Sequence, residues 1–480
     1  MSQPATEPSE PSAPSSSAPT LVRAMGLGMA ISMVVGNVIG SGIFAKPGTI
    51  ATEAGSFGLI ISAWIVGGLL SLMGALCVAE LAAMLPQAGG LYVYLREAYG
   101  KLTAFLFGWS EFLFHRPAST GALSVMCVFN FGKATGWDIS ATEQVALVSV
   151  LIAVLATVNI VGVAWGGRLQ ALTTLFKCGF ILLIITLPFT LQLLGRYELN
   201  WSNYLTRSTP KTADFATQFA AVLLAVSWAY DGWHGITPVA EEIKDPQRNV
   251  PKALFIGIGV LAFLYISANL AYHLVVPMET MVLKTIGPKD QQELVATFAM
   301  KTLLGPIGQT LMSIGVMVSA FGAINSNLLY GPRVSFAMGR DRVFFPQLGA
   351  VHPKFRTPVI AISVQAAMAM VMVVASLLLT KNVAYFADKS LFDILTDYIV
   401  FSASLFYVAA VAAVFVLRIK HPDWPRPYRT FLYPWVPLAY VAFYAWFLWM
   451  VFMGKPGEAQ IGIGLIALGV PVYWIWSRRQ

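Results

Sequence analysis

The feature that most restricts this chain is the recurrence of apolar runs about twenty residues long, the length at which a helix crosses the hydrocarbon core of a bilayer. Twelve of them lie near residues 24–50, 57–85, 103–130, 143–163, 167–194, 215–240, 251–277, 303–328, 357–380, 391–417, 432–453 and 460–477. Backbone amides in lipid find no water, so each run must satisfy its own hydrogen bonds as a helix. Composition agrees: 57% of the residues are hydrophobic and 11% charged, against about 25% charged in soluble domains. Soluble, disordered, fibrous and disulfide-rich secreted classes are excluded. The expected fold class is an all-α membrane protein with twelve transmembrane helices.

The formal charge of +8 does not mark a nucleic-acid binder, because the basic residues sit in short loops between the runs. An even number of crossings puts both termini on one side of the membrane, and the excess of Lys and Arg identifies that side. Loops on the terminal side carry 18 basic residues and the opposite loops 10, with Lys46, Arg116 and Lys177 inside or beside the runs. Both termini are therefore expected in the cytoplasm, with the chain in the inner membrane. Residues 1–20 are Pro/Ser-rich without an apolar core, which reads as a disordered polar tail and not as a signal peptide. Cys77, Cys127 and Cys178 lie in or at the edge of apolar runs, without metal-ligand spacing, and read as small apolar side chains.

Two runs are interrupted. The first reads MVVGNVIGSGIFAKPG, with Gly36, Gly40, Gly42 and Gly48 beside Pro47. The sixth reads VSWAYDGWHGITPVAEE, with Asp231, Gly232, His234, Gly235 and Pro238. Glycine inside a helix costs roughly 1 kcal/mol against alanine and proline about 3. Unwound backbone survives in lipid only where it is buried in protein or lines a cavity. Interrupted runs at matching positions of two halves point to the central site of a transporter. A half-helix that starts after a break, here near Ser41, Gly42 and Ile43, presents free N–H groups and the positive end of its dipole, which suit a carboxylate. A half-helix that stops at a break exposes carbonyls, which suit an ammonium. One pair of breaks thus supplies both ends of a zwitterion site. The competing reading is close helix packing alone, but four glycines and a proline exceed what packing requires.

These residues also carry a resemblance. GNVIGSGIF, SFGLIISAWIVGGLLSLMGALCVAELAAMLPQAGGLYVYL, AYDGW, EEIKDPQRNVPKAL, NSNLLYGPRVSFAMGRDRVFFPQ and LRIKHPDWPRPYR resemble the amino acid–polyamine–organocation superfamily over residues 24–430. Within it, EFLFHRPAS and GRLQALTTLFK are similar to the L-type amino-acid transporter light chains and their bacterial relatives. The resemblance implies a LeuT-type fold with helices 1 and 6 unwound at mid-membrane. A first inverted repeat (helices 1–5) would span residues 23–195, a second (helices 6–10) residues 196–420, and helices 11–12 with the C-terminus residues 421–480, behind a tail of residues 1–22. It further implies sodium-independent exchange or facilitated uptake of L-amino acids, neutral ones, by alternating access and without a cofactor.

Position by position, the resemblance puts the substrate carboxylate on the backbone N–H groups of Ser41 and Gly42, with Gly40 permitting close approach. It puts the α-ammonium on the carbonyls of Val38, Trp228 and Asp231, and makes the Trp228 ring a gate over the substrate. Gly235 and, from the tenth run, Phe401 are expected at the side-chain pocket. Lys177 matches the lysine that, in sodium-independent members, stands where sodium-coupled relatives bind their cation. The eukaryotic light chains bond a heavy chain through a cysteine between helices 3 and 4. The corresponding FGKATGWDISATE has none, so no disulfide-linked partner is expected.

Lys177 has its own physical argument. A lysine about ten residues inside the fifth run is costly in lipid, near 2.5–3.5 kcal/mol, and must turn into the bundle to find partners. Carbonyls of the first helix and a hydroxyl of the eighth, such as Ser319, are the expected ones, and Ala323 supplies none. Asp231 admits two readings: it meets a cationic substrate side chain, or it bonds neighbouring backbone amides. Glu111 and Arg116 are expected to pair inside the bundle, and His115 and His273 to be hydrogen-bonded structural residues. Glu241, Glu242, Lys244, Asp245 and Arg248 form a charged cluster, a gating network or a solvated loop, with Arg333 or Arg340 as partners. Proton-coupled symport and carriage of cationic amino acids or polyamines remain alternatives in function. An enzyme is not expected, because HExxH, GxSxG and paired intramembrane carboxylates are missing.

Overall fold

The computed structural model describes residues 20–211, 214–287, 292–382, 391–454 and 456–478. Most of the tail expected for residues 1–22 lies outside them. Among the described residues no strand forms. Two isolated bridges, Met25 with Ile243 and Ser56 with Arg207, are the extended pairings present there.

The helices follow the apolar runs. The first run holds α1 (Leu27–Val38), α2 (Gly42–Ala45) and α3 (Pro47–Ala54), and the second α4 (Phe57–Met84). A connecting helix, α5 (Leu91–Tyr99), precedes α6 (Lys101–Ser110), which passes through a π turn at Glu111–His115 into α7 (Arg116–Thr135). Then come α8 (Ala141–Val161), α9 (Val163–Leu193), α10 (Phe215–Tyr230) and α11 (Pro246–Val275). Two short helices, α12 (Met278–Ile286) and α13 (Val295–Leu304), lead to α14 (Pro306–Tyr330) and α15 (Pro332–Arg340). The chain ends with α16 (Val359–Asn382), α17 (Leu391–Lys420), α18 (Trp435–Gly454), α19 (Pro456–Ala467) and α20 (Gly469–Ser477).

Among the described residues, nine helices are long and apolar enough to cross a membrane. The 31 residues of α9 extend about 46 Å at 1.5 Å per residue, enough to span with tilt. The α6–π–α7 rod carries Glu111 and Arg116 in its middle, and α10 stops after 16 residues. Exposure separates lipid-facing from central helices. Val150, Val154 and Val161 of α8 and Leu172 and Leu175 of α9 are exposed, as apolar side chains against lipid tails must be. By contrast, Met33, Val34 and Val35 of α1 are buried. That helix sits between α9, α11 and α14, while α11 packs on α4 and α14 on α7. Around its break the first interrupted run is enclosed by protein, residues 33–44 being buried except the half-buried Asn37, which is the condition for leaving backbone unpaired.

Candidate functional site

The two interruptions have distinct local causes. Helix α1 stops at Val38, and the next residues turn sharply: Ile39 adopts φ −70° and ψ 85°, and Gly40 N–H donates to the Val38 carbonyl at 2.7 Å. That is an inverse γ-turn, three residues wide. The chain resumes as a helix when the Ser41 carbonyl accepts Phe44 and Ala45 N–H at 3.1 and 2.8 Å. In the sixth run, α10 ends at Tyr230, Asp231 is extended (φ −61°, ψ 151°), and Gly232 takes φ +87°. A side chain at 232 would be strained at that φ, and its Cβ would lie 2.2 Å from Asn37 Nδ2. The Asn37 amide instead donates to the Gly232 carbonyl at 2.7 Å and ties the two breaks together. A two-turn 3₁₀ segment, Thr237–Glu242, follows around Pro238.

The breaks meet at one cavity of about 40 Å³, enough for a few water molecules. Val38, Gly40, Ser41, Gly42, Trp228 and Asp231 all border it, as do Asn37, Gly232, Arg116, Ser119, Leu123, Ala323, Asn327 and Tyr330. Ser41 is buried and its Oγ is without a hydrogen-bond partner. Gly42 is pressed on α10: a Cβ there would stand 2.5 Å from Ala229 Cα, so the glycine is required by helix contact whatever else it does. Neither Gly235 nor Phe401 borders the cavity. A Cβ on Gly235 would meet Asn37 Nδ2 at 2.7 Å and Tyr330 Cε1 at 3.3 Å, so the space beside it is already filled. Phe401 is buried in α17.

The carbonyls at the break have partners. Val38 O accepts the Tyr265 hydroxyl at 3.0 Å in addition to Gly40 N–H, and Trp228 O accepts Asp231 N–H at 3.2 Å. Lys177, buried in α9, donates its Nζ to Gly36 O at 2.7 Å and Ile39 O at 2.6 Å. Ser319 Oγ donates to Gly40 O at 2.9 Å and Ile39 O at 3.2 Å. Lysine and serine therefore meet on the Ile39 carbonyl and together hold the end of α1. Ala323 faces the cavity and leaves Lys177 to the carbonyls.

Asp231 Oδ1 accepts the Tyr407 hydroxyl at 2.6 Å. His234 Nε2 lies 2.9 Å from the same hydroxyl. Across the cavity, Glu111 takes Arg116 through two bonds, Nε to Oε2 at 2.5 Å and Nη2 to Oε1 at 3.1 Å, as their spacing predicts. Arg116 Nη1 also reaches Asn327 Oδ1 at 3.3 Å and the Tyr330 hydroxyl. The π turn that presents Glu111 and His115 is a type of helix defect common at functional sites. His115 is bonded to Glu111 (3.0 Å) and Ser402 (2.7 Å), and His273 Nδ1 to Asn269 O (2.9 Å). Among the described residues no three His, Cys, Asp or Glu side chains gather as metal ligands.

Both expected partners of the acidic cluster are found. Arg333 grips Glu242 at 2.8 and 3.1 Å with both side chains fully buried, and Arg340 holds Glu241 at 2.8 Å. Lys244 contributes only main chain, its N–H bonding Met25 O at 2.9 Å. Nearby, Arg96 meets Asp341 at 2.5 Å. Burial works against the Arg96 charge, but Asp341 and Glu97 overcome it and raise its pKa above the ordinary value.

Asn37, Ser119, Tyr265, Asn327, Tyr330 and Tyr407 belong to this site without having been singled out in the sequence. Asn37 stands inside GNVIG, and Asn327 and Tyr330 inside NSNLLYGPR, so polar residues in apolar runs were the available signal. Tyr265 and Tyr407 gave none, because tyrosine is common in such helices as a belt residue.

Comparison with known proteins bears on this arrangement. The family described as amino acid permease matches residues 26–476. The chain is 33% identical over 462 residues to the serine/threonine exchanger SteT of Bacillus subtilis, across 96% of this chain and 98% of that protein. It is 31% identical over 475 residues to the human large neutral amino acids transporter small subunit 2 (96% of this chain, 82% of the relative). It is 30% identical over 462 residues to the human Asc-type amino acid transporter 1 (95% and 82%).

Proposed function

The chain belongs to the amino acid permease family, and we propose that it carries neutral L-amino acids across the inner membrane by sodium-independent exchange, through alternating access. The observation that carries this reading is the convergence of two broken helices on one cavity, with a buried lysine bound to the carbonyls of the first break. In the proposed site the carboxylate lies on the N–H groups of Ser41 and Gly42. The ammonium takes the Asp231 carbonyl, and the Val38 and Trp228 carbonyls in place of their present donors. Lys177 puts its amino group, as a donor to two main-chain carbonyls, where a sodium ion would otherwise bind, which supports sodium independence. The cavity of about 40 Å³ is smaller than an amino acid with its side chain, so binding requires the lining to move, and Trp228 on that lining is the proposed gate.

We read the crossings as twelve, with the LeuT-type inverted repeats of residues 23–195 and 196–420 and both termini cytoplasmic. The relatives' names, serine/threonine exchanger among them, support exchange of amino acids. The free cysteines, Cys77 and Cys127 buried and Cys178 half-buried, support function without a disulfide-linked partner. Asp231 on the cavity favours a second reading, a carrier of cationic amino acids; Arg116 on the same cavity opposes it.

Counterflow in proteoliposomes tests the proposal. Vesicles preloaded with a neutral amino acid should take up the labelled compound in sodium-free buffer. Uptake that needs sodium, or accumulation in unloaded vesicles only under an inward proton gradient, would overturn the mechanism.

A further inference from the structure

A second and larger hollow, of about 600 Å³, lies on the outer side of the membrane in the proposed topology. Among the described residues it shares no lining with the central cavity. One wall is the outer part of the first interrupted run, at Ala45, Gly48 and Thr49, against which α12 packs. The others come from the end of α7, from α13 and from the start of α14. Three lysines border it from three helices: Lys133 of α7, Lys284 of α12 and Lys301 of α13. Glu293 is the carboxylate among the described lining residues, which leaves an excess of two positive charges. Asp138 borders a neighbouring hollow together with Lys133. Among the described residues no ion pair joins any of the three lysines to an acid. Lys133 Nζ stands 5.5 Å from the centre of the Phe129 ring, and Lys284 Nζ 4.9 Å from that of Phe298. A ring face steadies an ammonium without giving it an oxygen acceptor, so its N–H donors stay available to a ligand. Like charges around one hollow repel, and a cleft lined by one sign concentrates ions of the other.

We propose that this hollow is a binding site for a small organic dianion, two carboxylates on a short carbon chain, separate from the central cavity. Two negative charges match the excess of two on the lining. A carbon chain fits better than a bare inorganic ion, because Phe129, Leu294 and Val295 line the space between the lysines. A zwitterionic amino acid has no net charge and gains far less there, which sets this ligand apart from the proposed cargo. A dianion held by Lys133 and Lys301 ties α7 to α13 beside the outer part of the first run. The binding site itself needs only the hollow. Its effect on exchange rests on the transport reading, in which the outer part of the first run moves as access alternates. An occupied site should therefore slow exchange without competing for the central cavity.

Glutarate is the probe, beside uncharged glutaramide and sodium sulfate at equal ionic strength, on the purified full-length protein in non-ionic detergent. Glutarate at about ten times its half-saturating concentration should raise the unfolding temperature by about 2 °C, and the other two should give no shift. K133Q/K284Q/K301Q should unfold at the unmodified temperature without glutarate and lose the shift with it. In sodium-free counterflow, external glutarate should lower the maximal rate several-fold at an unchanged half-saturating substrate concentration, and leave the triple variant unaffected. No shift, an equal shift in sulfate, or a shift kept by the triple variant overturns the site. Inhibition that excess substrate relieves would put glutarate in the central cavity and overturn it too. If the triple variant fails to fold, K133Q and K301Q decide, each expected to weaken glutarate several-fold. A saturable, lysine-dependent shift in a protein that exchanges no amino acid would keep the site and remove the transport reading.

Discussion

Lys177 and Asp231 are the two charges that most need their surroundings. Lys177 has main-chain carbonyls as its partners, Gly36 O and Ile39 O, and both lie at the end of α1. Replacing it with methionine strands the buried Gly36 carbonyl, which costs about 1–3 kcal/mol, leaves the Ile39 carbonyl to Ser319, and frees the break to close differently. K177M should lose nearly all counterflow while still purifying as a monodisperse protein; near-normal exchange would contradict its role. Asp231→Asn keeps an oxygen for the Tyr407 hydroxyl but removes the charge. Neutral amino acid exchange should then stay within a few-fold of normal. Any arginine uptake the unmodified protein shows should disappear if the carboxylate meets the substrate, and persist if Tyr407 is its only partner; labelled arginine and leucine assayed side by side separate these cases.

At the scale of elements, the breaks are held open by contacts between helices. Gly36 of α1 lies against α9 so closely that a Cβ would fall 1.9 Å from Thr174 Oγ1 and 2.4 Å from Gln170 Nε2. G36A should therefore push α1 off α9, shift the carbonyls that Lys177 holds and abolish transport. Both obstructing atoms end side chains, so the double variant G36A/T174A should recover part of the lost rate. Recovery is read by counterflow at matched protein levels, and its absence would mean that Thr174 is not the obstacle. Gly42 behaves differently, because its obstacle is the Ala229 backbone. Bulk at Gly42 reports on the contact of α2 with α10 as much as on the carboxylate, which makes it a poor probe of substrate affinity.

For the whole molecule, one side of the bundle is fastened by buried charge. Arg333 on α15 and Glu242 at the end of the 3₁₀ segment are both fully buried, and the adjoining main chain pairs with Met25 ahead of α1. Glu80 of α4 similarly takes Arg418 of α17 at 2.7 Å and Thr430 N–H at 2.6 Å. Removing one partner of a buried pair leaves an unpaired charge and costs about 3–5 kcal/mol, whereas replacing both with apolar residues is far milder. E242Q should lower the thermal unfolding temperature of the detergent-solubilised protein, and E242L/R333M should restore most of it. If the single and double variants unfold alike, the pair is not a structural fastening. The proposed topology has its own check, with Cys77, Cys127 and Cys178 as little-exposed background. A cysteine placed at Lys133 should react with an impermeant thiol reagent in intact cells, and one at Arg478 only after permeabilisation.

Sequence alone determined the class of this molecule, because a bilayer imposes its rule residue by residue: twenty apolar residues in a row have no other stable partner. It also located the breaks, since Gly40, Ser41, Gly42 and Asp231-Gly232 are local liabilities to a helix wherever it packs. The pairing of Glu111 with Arg116 was legible for the same reason, two charges in one apolar helix having to find each other. Tertiary structure alone decided what faces what. That Tyr265 takes the Val38 carbonyl, that Tyr407 takes Asp231, and that Asn327 and Ser119 join across α14 and α7 depends on residues many turns apart in the chain. Gly235 and Phe401 lie off the cavity for that reason too: their distance from the break along the chain says nothing about Asn37, whose amide already fills the space beside Gly235.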